Sequence, residues 1–283
     1  MLSKARWLIF VGAVLGLALW ILVARLLTPT HLTLLTGPEG STSHQDALRY
    51  RPLLEARGVS ADVEVTDGSA ENLVRLASEG GVTVTCAEVA LERALERSEL
   101  ADQLSSLGSL YVSPIWVFVR SDLRESGFGE LAGRRLVVGA AGSATRVMAE
   151  LLFEVNGVDD EVATEGFDEL DADAARRALA TGEVDAVLAI GEPEAPAIAG
   201  MLEDPAIEAM PFRRAGTYER LSSSLVQLSV PEGAVDLRRN IPPSTLQMLG
   251  VPVQLVVPRG LHPALVDLLL DVATRMHREA ALF

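Results

Sequence analysis

Two stretches of the chain run through the same order of elements, and a repeat of that kind leaves few folds open. The first starts with an apolar strand, Leu32 to Leu35. It passes through the loop Thr36-Gly37-Pro38-Glu39-Gly40-Ser41-Thr42 into a helix that ends near Gly58-Val59. A strand of alternating character follows, Ala61 to Val65, then the loop Thr66-Asp67-Gly68-Ser69-Ala70. A helix through Leu73 and Leu76 stops at Gly80-Gly81, and a β-rich run from Val82 to Thr85 completes the unit. The second unit starts at Arg135 to Val138 and has the loop Gly139-Ala140-Ala141-Gly142-Ser143-Ala144-Thr145. Its first helix runs to Asn156-Gly157-Val158, its second from Ala172 to Ala180 before Gly182, and its last strand from Val184 to Ile190.

Each unit reads strand, Gly-Ser/Thr loop, helix, strand, helix, strand. Such alternation favours a parallel sheet with helices on both faces. Two units predict two lobes with their Gly-Ser/Thr loops facing a cleft, because ligands of open α/β sheets sit beyond the carboxyl ends of the strands. Tyr111 to Arg120 is a further apolar strand and a crossover, and Val253 to Val257 a late strand. The leucine and valine spacing of Pro263 to Arg278 predicts a helix that packs back on the first lobe.

Composition excludes several classes. The net charge of −15, from 24 basic and 39 acidic residues, argues against a nucleic-acid partner, which needs a basic footprint. The single cysteine, Cys86, excludes an intramolecular disulfide, and the four histidines have no metal-ligand spacing. No cofactor is expected. The Walker, zincin, nucleophile-elbow and dinucleotide fingerprints are all missing, so catalysis is not expected either.

The amino terminus predicts the compartment. Lys4 and Arg6 precede an apolar run from Trp7 to Ala24, close to what a bilayer core requires. Positive residues ahead of the run place the amino terminus in the cytoplasm. The exit, Leu22-Val23-Ala24-Arg25-Leu26-Leu27, has no Ala-x-Ala cleavage pattern, so an uncleaved transmembrane anchor is preferred to a cleaved signal. The expectation is one N-terminal transmembrane helix, membrane contact through residues 7–27, and a body outside the cytoplasm.

Candidate ligand residues lie on the loops. Gly40-Ser41-Thr42 and Gly142-Ser143-Ala144-Thr145 each open a helix, where free amides and the helix dipole attract an anion. Ser41, Thr42, Ser143 and Thr145 either bind a ligand or simply cap. Arg146 sits in a first helical turn, unfavourable for the dipole, where an anion would relieve it; the alternative is a solvated arginine. Glu39 and Glu71 either meet a ligand ammonium or are first-turn acids. Ser69 is a cap or a ligand donor, and Asn72 faces outward or the cleft. Cys86 either lines the pocket or is a small buried residue. Tyr111 and Trp116 are cleft walls or core aromatics.

Several segments resemble the TAXI family, the extracytoplasmic solute receptors of TRAP transporters. They are Thr36 to Thr42, Gly68 to Leu73, Ser106 to Tyr111 and Pro114 to Phe118. Leu131 to Gly139, Gly142 to Arg146, Gly182 to Ala186, Pro231 to Pro242 and Leu261 to Leu270 resemble it too, the late ones as in a membrane-anchored branch. The chain departs from the pattern at Ser43-His44 and at Cys86. The resemblance implies an α/β type II periplasmic-binding-protein fold with two lobes around a hinge. It also implies a small organic acid or amino acid, glutamate-like, held between them, a TRAP permease as partner, and ion-coupled uptake.

The expected division is an anchor over 1–30, lobe 1 over 31–112 with 259–283 packing back on it, and lobe 2 over 113–258. Arg146 is expected to hold a ligand carboxylate, aided by Ser143 and Thr145. Ser41, Thr42, Ser69 and Cys86 line the other wall. The resemblance also leaves truncation after Phe283 as an expectation. The alternatives are a membrane-tethered sensor, a degenerate binding module without transport, and a transferase on the same fold using Cys86.

Overall fold

The structure, a computed structural model, describes residues 7, 10–16, 29–79, 83–87, 101–122, 127–141 and 143–277. The Gly80-Gly81 helix stop, Val82, Gly142, Phe283 and most of the expected anchor lie outside the described residues. Among the described residues, no helix is long and apolar enough to cross a membrane.

The first unit forms a parallel triplet. Strand β1 (His31–Leu35) lies between β2 (Ser60–Glu64) and β3 (Thr83–Ala87), with Leu35 opposite Glu64 and Thr85. Helix α1 (Thr42–Glu55) joins β1 to β2, and α2 (Ser69–Glu79) joins β2 to β3. Leucines at 73 and 76 of α2, with Ala77, make one buried stripe at helical spacing.

The second unit has the same topology. Strand β5 (Leu136–Val137) lies between β6 (Phe167–Asp168) and β7 (Ala186–Ile190), all parallel. Helices α3 (Ala144–Val155), α4 (Asp160–Thr164) and α5 (Ala172–Thr181) connect them. In both units the first strand is central, so the sequence repeat is a topological repeat. Gly182, at φ 79°, ends α5 in the left-handed conformation that a residue with a Cβ adopts only at a cost.

The whole sheet is mixed, where strand-helix alternation predicted a parallel one. Two long strands, β4 (Leu104–Arg120) and β10 (Leu246–Pro258), pair antiparallel between the triplets. The order is β2-β1-β3-β10-β4-β7-β5-β6. Strands β8 (Ile207–Ala209) and β9 (Val226–Val230) add to β4 and β10. The carboxyl half of β10 pairs with β3 of the first triplet, and the carboxyl half of β4 pairs with β7 of the second. The two long strands thus run from one triplet to the other, with Gly250 opposite Pro114 and Pro252 opposite Val112 along the way.

Each lobe has its own core. Leu32, Leu34, Leu54 and Leu255 pack with Leu265, Leu269 and Val272 of the last helix, α8 (Pro263–His277), in lobe 1. Lobe 2 buries Phe128, Met148, Phe153 and Phe212 on one sheet face, and Trp116, Phe118, Leu179 and Met201 on the other. Two short helices, α6 (Pro196–Leu202) and α7 (Ala215–Leu221), cover lobe 2.

Candidate functional site

The carboxyl ends of β1 and β5 face each other, and the loops after them enclose a cleft of about 570 Å³. That is the size of small-molecule sites in general. Lobe 1 contributes residues 37–43 and 67–69, and lobe 2 contributes the loop before α3, the start of α5, β7 and α6. The lobes approach closely at two glycines. A Cβ on Gly68 would lie 3.6 Å from Ser143 Cα, and one on Gly191 would lie 3.1 Å from Thr42 Oγ1. Both glycines have positive φ, 129° and 147°, which suits a residue without a side chain, and at Gly191 the close approach favours glycine as well.

Capping holds the loops in place. Ser41 Oγ accepts from the His44 amide at 3.3 Å, and Ser43 Oγ accepts from the Gly37 amide at 3.0 Å. Across the cleft, Ser143 Oγ accepts from the Arg146 amide at 3.2 Å, and Asp171 Oδ1 accepts from the Ala174 amide at 2.8 Å. The first-turn amides of α1 and α3 have no intrahelical acceptor, so the two N-termini bring partial positive charge into the cleft from both lobes.

Of the residues expected from sequence, Glu39, Ser41, Thr42, Ser69, Ser143 and Thr145 line the cleft together. The others sit elsewhere. Asn72 is buried beneath the cleft. Its Nδ2 donates to Thr36 O at 2.8 Å and to Thr85 Oγ1 at 3.1 Å, and its Oδ1 accepts from Thr66 Oγ1 at 2.7 Å. Thr66 Oγ1 also donates to Thr36 O. Asn72 thus ties the two lobe 1 loops to each other and positions the wall rather than forming it.

Arg146 does not line the cleft. Its guanidinium carbon lies 5.2 Å from the Phe167 ring centroid, and its Nε pairs with Glu150 at 3.5 Å. One turn of helix separates Arg146 from Glu150, so the guanidinium has an acidic partner on its own helix. Trp116 is wholly buried in the lobe 2 core, and its Nε1 donates to Gly191 O at 2.9 Å. Cys86 borders a separate small cavity inside lobe 1, between Leu34, Ala47, Tyr50 and Leu255. Tyr111 donates to Asp46 Oδ2 at 2.7 Å.

That last contact belongs to a polar group at the junction of α1, β4 and α8. The Tyr50 hydroxyl and His277 Nε2 are 3.1 Å apart, and the Tyr111 and His277 rings are 5.1 Å apart. Burial raises the Asp46 carboxyl above its ordinary range, against the lowering effect of the Tyr111 hydrogen bond and of His277 and Arg49. Burial also raises the Tyr50 hydroxyl and keeps His277 neutral to lower pH. On lobe 2, Glu192 just after β7 is pushed up to about 7 by burial, then by the Glu194 and Asp46 carboxylates.

Sequence reasoning missed the lobe 2 wall, namely Leu170, Asp171, Ala175, Ile198 and Met201, and missed Glu192. A signal existed in Pro196, which occupies the first turn of a helix as prolines there commonly do. Among the described residues, no group of three His, Cys, Asp or Glu side chains is placed to hold a metal ion.

The description of the NMT1-like family matches residues 47–236. Among curated proteins, none matches the sequence. The fold is that of periplasmic solute-binding proteins. An ancestral arginine-binding protein bound to arginine superposes with TM-score 0.55 at 13% identity, over 89% of this chain and 94% of its own. The substrate binding protein of an amino acid ABC transporter gives 0.51 at 12% identity, over 88% and 93%. The periplasmic aliphatic sulphonate binding protein of Escherichia coli gives 0.52 at 14% identity, over 89% and 72%.

Proposed function

The chain belongs to the NMT1-like family, and from that premise we propose that it is an extracytoplasmic solute-binding receptor without catalytic activity. Its two lobes close over a small carboxylate or amino acid. The observation that carries this reading is the cleft of about 570 Å³ into which repeated Gly-Ser/Thr loops open from both lobes. Those loops present the α1 and α3 N-termini, which suit a ligand carboxylate. Ser41, Thr42, Ser69, Ser143 and Thr145 supply hydroxyls around it. Amino-acid and sulphonate ligands of the structural relatives support an anionic head group for this chain too.

The finer parts of the proposal concern its setting. Residues 7–27 tether the body to the outer face of the cytoplasmic membrane, and a TRAP-type permease receives the solute for ion-coupled uptake. A glutamate-like ligand would need a cation for its second carboxylate. Arg146 is the cation the sequence offers, and to serve it would leave Phe167 and Glu150. Closure is a population shift set by the ligand's preference for the closed state.

The test is a thermal-shift screen of the full chain in detergent against amino acids, 2-oxo acids, dicarboxylates and sulphonates. A ligand at 100 times its Kd adds about 2.7 kcal/mol of stability. A hit in the panel is the expected result, and silence from a folded protein overturns the receptor reading. Co-purification with TRAP membrane subunits tests the partner.

A further inference from the structure

The cleft has two unlike walls. Lobe 1 offers loop backbone and hydroxyls. Lobe 2 offers a recess floored by Val137, Ala175, Val187, Ile198 and Met201, all buried and all part of the core layer that holds Trp116 and Phe118. The charge balance is equally one-sided. Three carboxylates border the cleft, Glu39, Asp67 and Asp171, and among the described lining residues none is basic.

A solute with two carboxylates would set its second one either against the aliphatic floor or beside those acids. Both placements are unfavourable, because a desolvated charge needs a partner and like charges repel. A solute with an aliphatic body and one ammonium meets neither problem. Resting on the receptor reading above, we infer that the ligand is a small aliphatic amino acid of about leucine size. Its side chain fills the lobe 2 recess, its carboxylate meets the first turns of α1 and α3, and its ammonium faces the three acids.

The recess then sets specificity. One missing methylene in an apolar pocket costs about 10- to 200-fold, so leucine binds well ahead of alanine. Losing the ammonium, as in 4-methyl-2-oxopentanoate, weakens binding because the rim acids are left facing a lone carboxylate.

Calorimetric titration of the full chain in detergent tests this with L-leucine, L-alanine, L-glutamate and 4-methyl-2-oxopentanoate. The expected result is leucine at least tenfold tighter than each of the others. Ala175→Val, which fills the recess, weakens leucine more than tenfold and alanine less than threefold. Ala197→Leu, at an exposed cleft position on α6, is the second variant should the buried one fail to fold, and the same pattern is expected. Glutamate binding as tightly as leucine overturns the inference and leaves the receptor reading standing. Tight binding of the oxo acid overturns the role of the acids in the same way. Leucine affinity untouched by a folded recess variant overturns the placement. No binding by any of the four, with no hit in the wider screen, overturns the receptor reading and this inference with it.

Discussion

Replacing Glu192 with glutamine is expected to stabilise the protein above pH 7 and to change little below pH 5. Glu192 follows Gly191 at the end of β7, partly buried, with the Glu194 and Asp46 carboxylates acting on it. Its carboxyl is pushed from 4.5 to about 7. The sign follows from proton binding. The folded protein holds this proton more tightly than the unfolded chain, so the protonated group favours folding. That contribution is complete below pH 4.5 and is lost as pH rises through about 7. At ~1.4 kcal/mol per decade of acidity, the displacement corresponds to at most about 3.5 kcal/mol. Partial exposure and salt screening reduce this, and we expect about 1–2 kcal/mol.

Asp46, raised in the same direction, and His277, lowered, titrate in both proteins. The difference between wild type and Glu192→Gln therefore reports Glu192 together with its effect on Asp46, which the substitution relieves of a neighbouring carboxylate. Urea unfolding of both at pH 5 and pH 8 reads it out. The variant should match wild type within ~0.5 kcal/mol at pH 5 and exceed it by about 1–2 kcal/mol at pH 8. A difference of equal size at the two pH values, or a less stable variant at pH 8, refutes the reasoning.

Three further outcomes are expected. Ser143→Ala removes the cap on α3 and should cost ~1 kcal/mol in urea unfolding. Arg146→Ala should change leucine affinity less than threefold and lower stability by about 0.5–1 kcal/mol, through loss of its contact with Phe167; calorimetry and unfolding measure the two separately. Trp116→Phe keeps a ring in the core but leaves Gly191 O without its donor at the inter-lobe contact. It should cost about 1–3 kcal/mol in unfolding free energy, and loss of ligand-induced compaction in small-angle scattering would show a further effect on closure.

Much of the fold is legible along the chain because its signals are local. Ser41 and Ser143 stand before helix starts, Gly182 stands where α5 stops, and the leucines of α2 recur on one face. Strand lengths are less legible. Val253 to Val257 read as a short strand, yet β10 runs from Leu246 to Pro258, because pairing with β4 and β9 extends a segment that pattern alone does not. The candidate site divides along the same line. Residues on the Gly-Ser/Thr loops reach the cleft because a repeat places its loops equivalently. Asn72, Arg146 and Trp116 do not reach it, because each finds a nearer partner in Thr36, Phe167 and Gly191.

By itself the sequence determined two α/β units, the helix starts that carry the hydroxyl loops, and a net acidic charge. Periodicity, capping and charge are properties of neighbouring residues and survive without knowledge of the fold. Only the tertiary structure decided that antiparallel β4 and β10 join the units, that the cleft's second wall is aliphatic, and that Asp46 acts on Glu192 from the other lobe. Those facts depend on which distant residues meet. Burial and like-charge repulsion act only once they do.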